Sequence, residues 1–86
     1  MVYQIAMYTA KWCKACKTLM PHLEVAQKRG VHVDFIDVEI RPDLAELENI
    51  NALPTMLFSI NGTRTRSVTG ASTEAVAAIK AFGVSN

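Results

Sequence analysis

Thr9-Ala10-Lys11-Trp12-Cys13-Lys14-Ala15-Cys16-Lys17 is the stretch on which the fold turns. It holds both cysteines of the 86-residue chain. Downstream of it, the apolar positions Cys16, Leu19, Met20, Leu23 and Ala26 recur at helical spacing from about Lys14 to Arg29. Gly30 then stands where a glycine ends a helix. Pro21 falls inside this pattern and is expected to kink the helix, because it lacks an N–H and crowds the preceding turn. Upstream, Val2 to Tyr8 is apolar with little alternation, which suits a short strand buried on both faces. Cys13 is therefore expected at the head of a helix that directly follows a strand. Unpaired backbone N–H groups and the helix dipole favour an anion there, and the thiolate is the nucleophilic form of cysteine. Lys11, Lys14 and Lys17 add positive charge. Cys16 lies one turn further along on the same face, within bonding reach of Cys13.

Reading outward, Val31 to Val38 forms a second strand pattern. Asp43 followed by Glu46 resembles a capping box that opens a short helix through Ile50. Thr55 to Ile60 and Thr63 to Thr69 flank Asn61-Gly62, a strong hairpin signal. Ser72 caps a last helix, with Glu74 in its first turn and Val76, Ile79 and Phe82 along one face. The order is strand, helix, strand, helix, strand, strand, helix, which is an α/β chain. Joined through a helix, the first two strands should run parallel with a right-handed crossover. The last two form an antiparallel pair. A four-stranded mixed sheet with helices on both faces covers every apolar run. No repeat, low-complexity tract or linker divides residues 1–86, so one domain is expected.

With half its residues apolar, a chain of this length builds only a thin core. The two cysteines are too close in sequence to tie distant segments together, so a bridge between them is a local switch. The formal net charge of +1 offers no general basic field for nucleic acid or membrane, and no apolar run is long enough to span a bilayer. The N-terminus enters a strand-like run at once, without a basic leader, so a reducing cytoplasm is expected. There a Cys-x-x-Cys pair is catalytic or metal-binding more often than structural. Three plainer readings compete with catalysis. One is half of a zinc site, whose only further His candidates, His22 and His32, fit no common finger spacing. The others are ordinary core cysteines and an inert local disulfide. No metal or cofactor is expected.

Taken together, Trp12-Cys13-x-x-Cys16-Lys17, Pro21, Leu53-Pro54-Thr55, Phe58, Asn61-Gly62 and Val68-x-Gly70-Ala71 resemble the thioredoxin superfamily over nearly the whole chain. The resemblance implies a minimal thioredoxin fold and a monomeric thiol–disulfide oxidoreductase that reduces disulfide-containing proteins. Cys13 would be the nucleophile and Cys16 the resolving thiol. Pro54 would be a cis proline beside Cys13, with the backbone of Leu53 free to pair with a substrate peptide. Trp12, Leu53, Pro54, Gly70 and Ala71 would form the contact surface around the sulfur, with Lys14 beside it. An upstream donor, thioredoxin reductase or glutathione, would recycle the pair.

The chain also departs from that pattern. Thioredoxins carry an extra strand and helix before the catalytic strand, whereas here Met1 stands at that strand, as in glutaredoxins. The aspartate and lysine that thioredoxins bury behind the second cysteine align with Met7 and Phe35, so the acid/base relay is missing. The intervening dipeptide is Lys14-Ala15 in place of Gly-Pro. Glutaredoxin features are weaker: Ala10 replaces a basic residue and Gly70-Ala71 replaces a Gly-Gly pair, although Ser72 and Thr73 still offer a helix N-terminus to a glutathione carboxylate. A reading from another class makes the fold a binding module with incidental cysteines.

Overall fold

The computed structural model describes residues 1–84, and the last two residues of the expected domain lie outside this range. The elements are β1 (Tyr3–Thr9), α1 (Lys14–Lys28), β2 (His32–Asp37), α2 (Pro42–Leu47), β3 (Thr55–Ile60), β4 (Thr63–Thr69) and α3 (Thr73–Ala81). They occur in the order read from the sequence. The strands form one sheet in the spatial order β2-β1-β3-β4. β1 runs parallel to β2 and antiparallel to β3, with Met7 opposite both Phe35 and Met56. β3 and β4 pair antiparallel with a register shift at Phe58/Ser59.

Local chemistry accounts for the element ends. Gly30, at φ 99°, closes α1: its N–H donates to the Gln27 carbonyl at 3.0 Å, and the Val31 N–H reaches back to Ala26 at 3.1 Å. That is the paired-bond stop favoured by a left-handed glycine after a helix. Asn61 and Gly62, at φ 52° and 83°, make the tight turn between β3 and β4, matching the twist that a two-residue hairpin needs. Pro21 is carried inside α1, which continues unbroken to Lys28. The opening of α2 differs from the capping-box expectation. Its N-cap is Arg41 and Pro42 takes the first turn, with no side-chain cap. The Asp43 carboxylate is instead engaged by the Arg41 guanidinium through two hydrogen bonds of 3.1 and 3.0 Å. Those bonds, first of all, hold its carboxyl below the ordinary value.

The core lies between one sheet face and the helices α1 and α3. Ile5, Met7, Val33, Met56, Phe58 and Val68 meet Cys16, Leu19, Leu23 and Ala26 of α1 and Ala75, Ala78 and Ile79 of α3. Met20, expected on the buried stripe, is only half-buried because it flanks that stripe. Phe82 packs edge-on against Tyr3 and Phe58, with ring centroids 5.2 and 5.0 Å away. Arg29 ties the ends of α1 and α3 together by donating to the Ile79 and Phe82 carbonyls. On the opposite face, α2 leads into a turn over Thr55 and Leu57, where Glu48 forms an ion pair with Arg64.

Phe35 corrects an expectation. Although Met7 is fully buried, its partner Phe35 is 43% exposed and absent from the core cluster. β2 is one of the two edge strands of the sheet, so no neighbouring strand flanks Phe35 on its outer side.

Candidate active site

Parallel pairing of β1 and β2 requires a crossover, and α1 supplies it. The turn from β1 into α1 therefore falls at the C-terminal edge of the central strand, and both cysteines sit in it. The Cys13 N–H donates to the Ala10 carbonyl at 3.1 Å, closing the turn. Cys13 is the N-cap of α1, and its Sγ accepts the Cys16 N–H at 3.1 Å. The two residues are joined as a disulfide with Cα atoms 5.3 Å apart. Cys13 is 5% exposed and Cys16 fully buried, so any approach from solvent meets Cys13 first. The pairing and the helix-head setting match the sequence reading. Trp12, by contrast, is 64% exposed although it is the largest apolar side chain in the chain. Leu47 and Ile40 are exposed to a similar degree elsewhere on the chain, so what sets Trp12 apart is its place directly before Cys13.

The segments expected to frame the sulfur are drawn together. The Leu53–Pro54 bond is cis and Pro54 is buried. The Gly70 N–H, at a residue with φ 96°, donates to the Pro54 carbonyl at 2.8 Å. Thr55 Oγ1 donates to the Ala52 carbonyl at 2.7 Å and lies 3.3 Å from Thr69 Oγ1, which locks the proline loop to β4. Trp12 and Leu53 share a shallow recess of about 240 Å³. Val38, Ala45, Ile50, Asn51 and Ala52 complete it. None of these five was singled out from the sequence: they come from three separate segments, and only the short apolar steps at Val38 and Ile50 hint at them. Ala71 lines a second recess with Thr18, His22, Ser72, Thr73 and Val76. Ser72 Oγ accepts the Ala75 N–H at 3.2 Å and so caps α3 itself. Lys11, Lys14 and Lys17 are all exposed.

Behind the disulfide the surroundings are apolar. Met7 is buried in the same core cluster as Cys16, and among the described residues no Asp, Glu, Lys or Arg is buried, Thr55 being the one buried polar residue. No buried side-chain nitrogen or oxygen among the described residues lacks a hydrogen-bond partner. His22 lines the recess beside α3, while His32 meets Asp34 at 3.1 Å on the edge strand β2. Among the described residues no three His, Cys, Asp or Glu side chains gather as a metal-binding group, and no helix is long and apolar enough to cross a membrane.

Residues 3–81 match the family model for thioredoxin. The chain is 32% identical over 71 residues to thioredoxin-1 of Saccharomyces cerevisiae, covering 80% of this chain and 69% of that protein. It is 36% identical over 66 residues to a thioredoxin of Echinococcus granulosus, covering 74% of this chain and 62% of the relative. Among solved structures, the oxidised form of mitochondrial thioredoxin 3 from Saccharomyces cerevisiae superposes with a TM-score of 0.77 at 30% identity, over 91% of this chain and 76% of that one.

Proposed function

The chain belongs to the thioredoxin family, thiol–disulfide oxidoreductases, and we propose that it reduces disulfides within other proteins, with Cys13 as nucleophile and Cys16 as resolving thiol. The observation that carries this reading is the position of the pair: a disulfide at the head of α1, with the outer sulfur accepting the Cys16 N–H and an exposed Trp12 beside it.

The cycle begins with the pair reduced. The Cys13 thiolate attacks one sulfur of the substrate disulfide. That bond breaks, a mixed disulfide forms, and the first substrate sulfur leaves as a thiolate that takes a proton from water. Cys16 then gives up its proton and attacks Cys13 Sγ. The second substrate sulfur leaves, and two electrons have passed from Cys13 and Cys16 to the substrate. The helix head stabilises the anion at Cys13 through unpaired N–H groups and the dipole. Trp12, Leu53, Pro54, Gly70 and Ala71 hold the substrate chain against the sulfur, with Lys14 at the rim. A disulfide oxidoreductase that keeps turning over needs an upstream dithiol or glutathione, and a reducing compartment such as the cytoplasm suits it. It acts as a monomer.

The test is reduction of the interchain disulfides of insulin, with thioredoxin reductase and glutathione compared as electron donors. We expect turnover with the reductase, complete loss in Cys13→Ser, and an accumulated covalent adduct in Cys16→Ser. Full activity of the double Cys→Ser variant would show that the cysteines are incidental and refute the proposal.

A further inference from the structure

The chain has nine side-chain cations, Lys and Arg, and six of them have an evident structural reason for their position. Arg41, Arg64 and Arg66 are paired with Asp43, Glu48 and Glu74. Arg29 caps the end of α3. Lys28 and Lys80 sit in the last turns of α1 and α3, where the helix dipole favours a cation. The remaining three are Lys11, Lys14 and Lys17. None of them forms an ion pair among the described residues. They surround the positive end of α1, whose first turn carries no acidic residue. The dipole opposes cations at that end, and Lys14 and Lys17, three apart on one helix, repel each other. In the oxidised chain, where Cys13 carries no thiolate, this placement works against folding, and no carboxylate among the described residues pairs with it.

The recesses at Trp12 and at Ala71 carry no offset either. Trp12 and Leu53 share theirs with uncharged residues only. The recess at Ala71 holds no carboxylate. The segment that carries the cysteines thus presents three exposed, unpaired cations, and the recesses at Trp12 and Ala71 bring no carboxylate to meet them. Cations gathered without partners at the functional end of a fold are expected where an external group supplies the missing charge.

We propose that this segment selects protein disulfides flanked by Asp or Glu, the carboxylates of the substrate segment completing the ion pairs that Lys11, Lys14 and Lys17 lack. The inference rests on the disulfide-reductase reading and names the substrate class of that site. Exposed cations act mainly on encounter: they raise the association rate for an acidic partner and lose that effect as salt screens them.

Three peptides test it. Each carries the same intramolecular disulfide, flanked by Glu, by Lys or by Gln, and kcat/KM is measured at low and high ionic strength. The native protein should favour the Glu peptide over the Lys peptide by at least about tenfold at low salt, and high salt should shrink the ratio. In the triple variant Lys11→Gln, Lys14→Gln, Lys17→Gln the ratio should fall to near one. In the triple Lys→Glu variant it should invert. A native ratio near one, a ratio unchanged in the triple Gln variant, or an equal loss for all three peptides overturns the proposal. The last result would place the lysines at the thiolate instead of the substrate. The Gln peptide separates the two levels of the argument. If it is not reduced, the disulfide-reductase reading fails. If it is reduced without discrimination by charge, only the selectivity fails.

Discussion

Proton handling at Cys16 yields the sharpest consequence of the apolar wall behind the disulfide. Met7 is fully buried in the same cluster as Cys16, and no carboxylate is buried among the described residues. Cys16 must still lose a proton before it attacks the mixed disulfide, and its rate follows its thiolate fraction. With solvent hydroxide as acceptor, resolution should quicken about tenfold per pH unit through the neutral range. Met7→Asp places a base where the wall now stands. An Asp carboxyl has an ordinary pKa of about 3.9, and burial raises it. For that value to reach about 7, where a general base works best near neutrality, the site must disfavour the charged form by about 4 kcal/mol. A positioned base contributes about a hundredfold or more in rate, so resolution at pH 7 should rise by that order and its pH profile should flatten. The same substitution has a stability signature. Because the introduced group's folded pKa exceeds its unfolded one, the penalty is absent below about pH 4, and stability is lost as pH rises through the folded value. The loss is a large share of the about 5–15 kcal/mol typical of a domain. Stopped-flow release of a chromophoric thiol from a preformed Cys13 mixed disulfide reads the rate, and urea unfolding at several pH values reads the stability. Met7→Asn controls for polarity without a base. If native resolution is already fast and flat with pH, or if the Asn variant matches the Asp variant, the missing relay has no kinetic consequence and the reasoning fails.

Other outcomes are equally concrete. Ser72→Ala removes the oxygen that accepts the Ala75 N–H; it should cost about 1 kcal/mol and lower Tm by about 4–8 °C, with an unchanged reduction potential. Tyr8 has its pKa raised first by burial and next by Glu48, with Arg64 opposing. The folded value therefore lies above the unfolded one, and stability present below about pH 10 is lost as pH climbs through it. Urea midpoints at alkaline pH should fall less in Tyr8→Phe than in the native protein. Lys14→Glu places an anion beside the Cys13 thiolate, which weakens the reduced form and makes the couple less oxidising. Since Lys14 is exposed, a glutathione redox titration should find the potential lower by less than about 30 mV.

Much of this was legible from local pattern. The helix from Cys13 to Gly30 carries both its start and its stop in its residues, and Asn61-Gly62 states its own turn. What escaped depended on competition between neighbours or on partners distant in sequence. Asp43 reads as a cap because Glu46 follows it, but Arg41 two residues earlier competes for the same carboxylate and wins it in bidentate form. Phe35 has the parity of a core residue, and parity alone does not say whether a strand lies at an edge. The recess beside Trp12 draws on Val38, Ala45 and Ile50, segments with no shared periodicity, so only the folded sheet reveals it.

The bond from the Cys16 amide to Cys13 Sγ ties the redox cycle to the integrity of α1. A sulfur within a disulfide is a weak acceptor, and a thiolate is a strong, charge-assisted one. The free energy by which the helix favours the thiolate is the same free energy by which the thiolate favours the helix, because linkage is reciprocal. Each turnover is thus expected to loosen and retighten the first turn of α1, and the exchange of one amide proton, that of Cys16, should report the oxidation state of the pair.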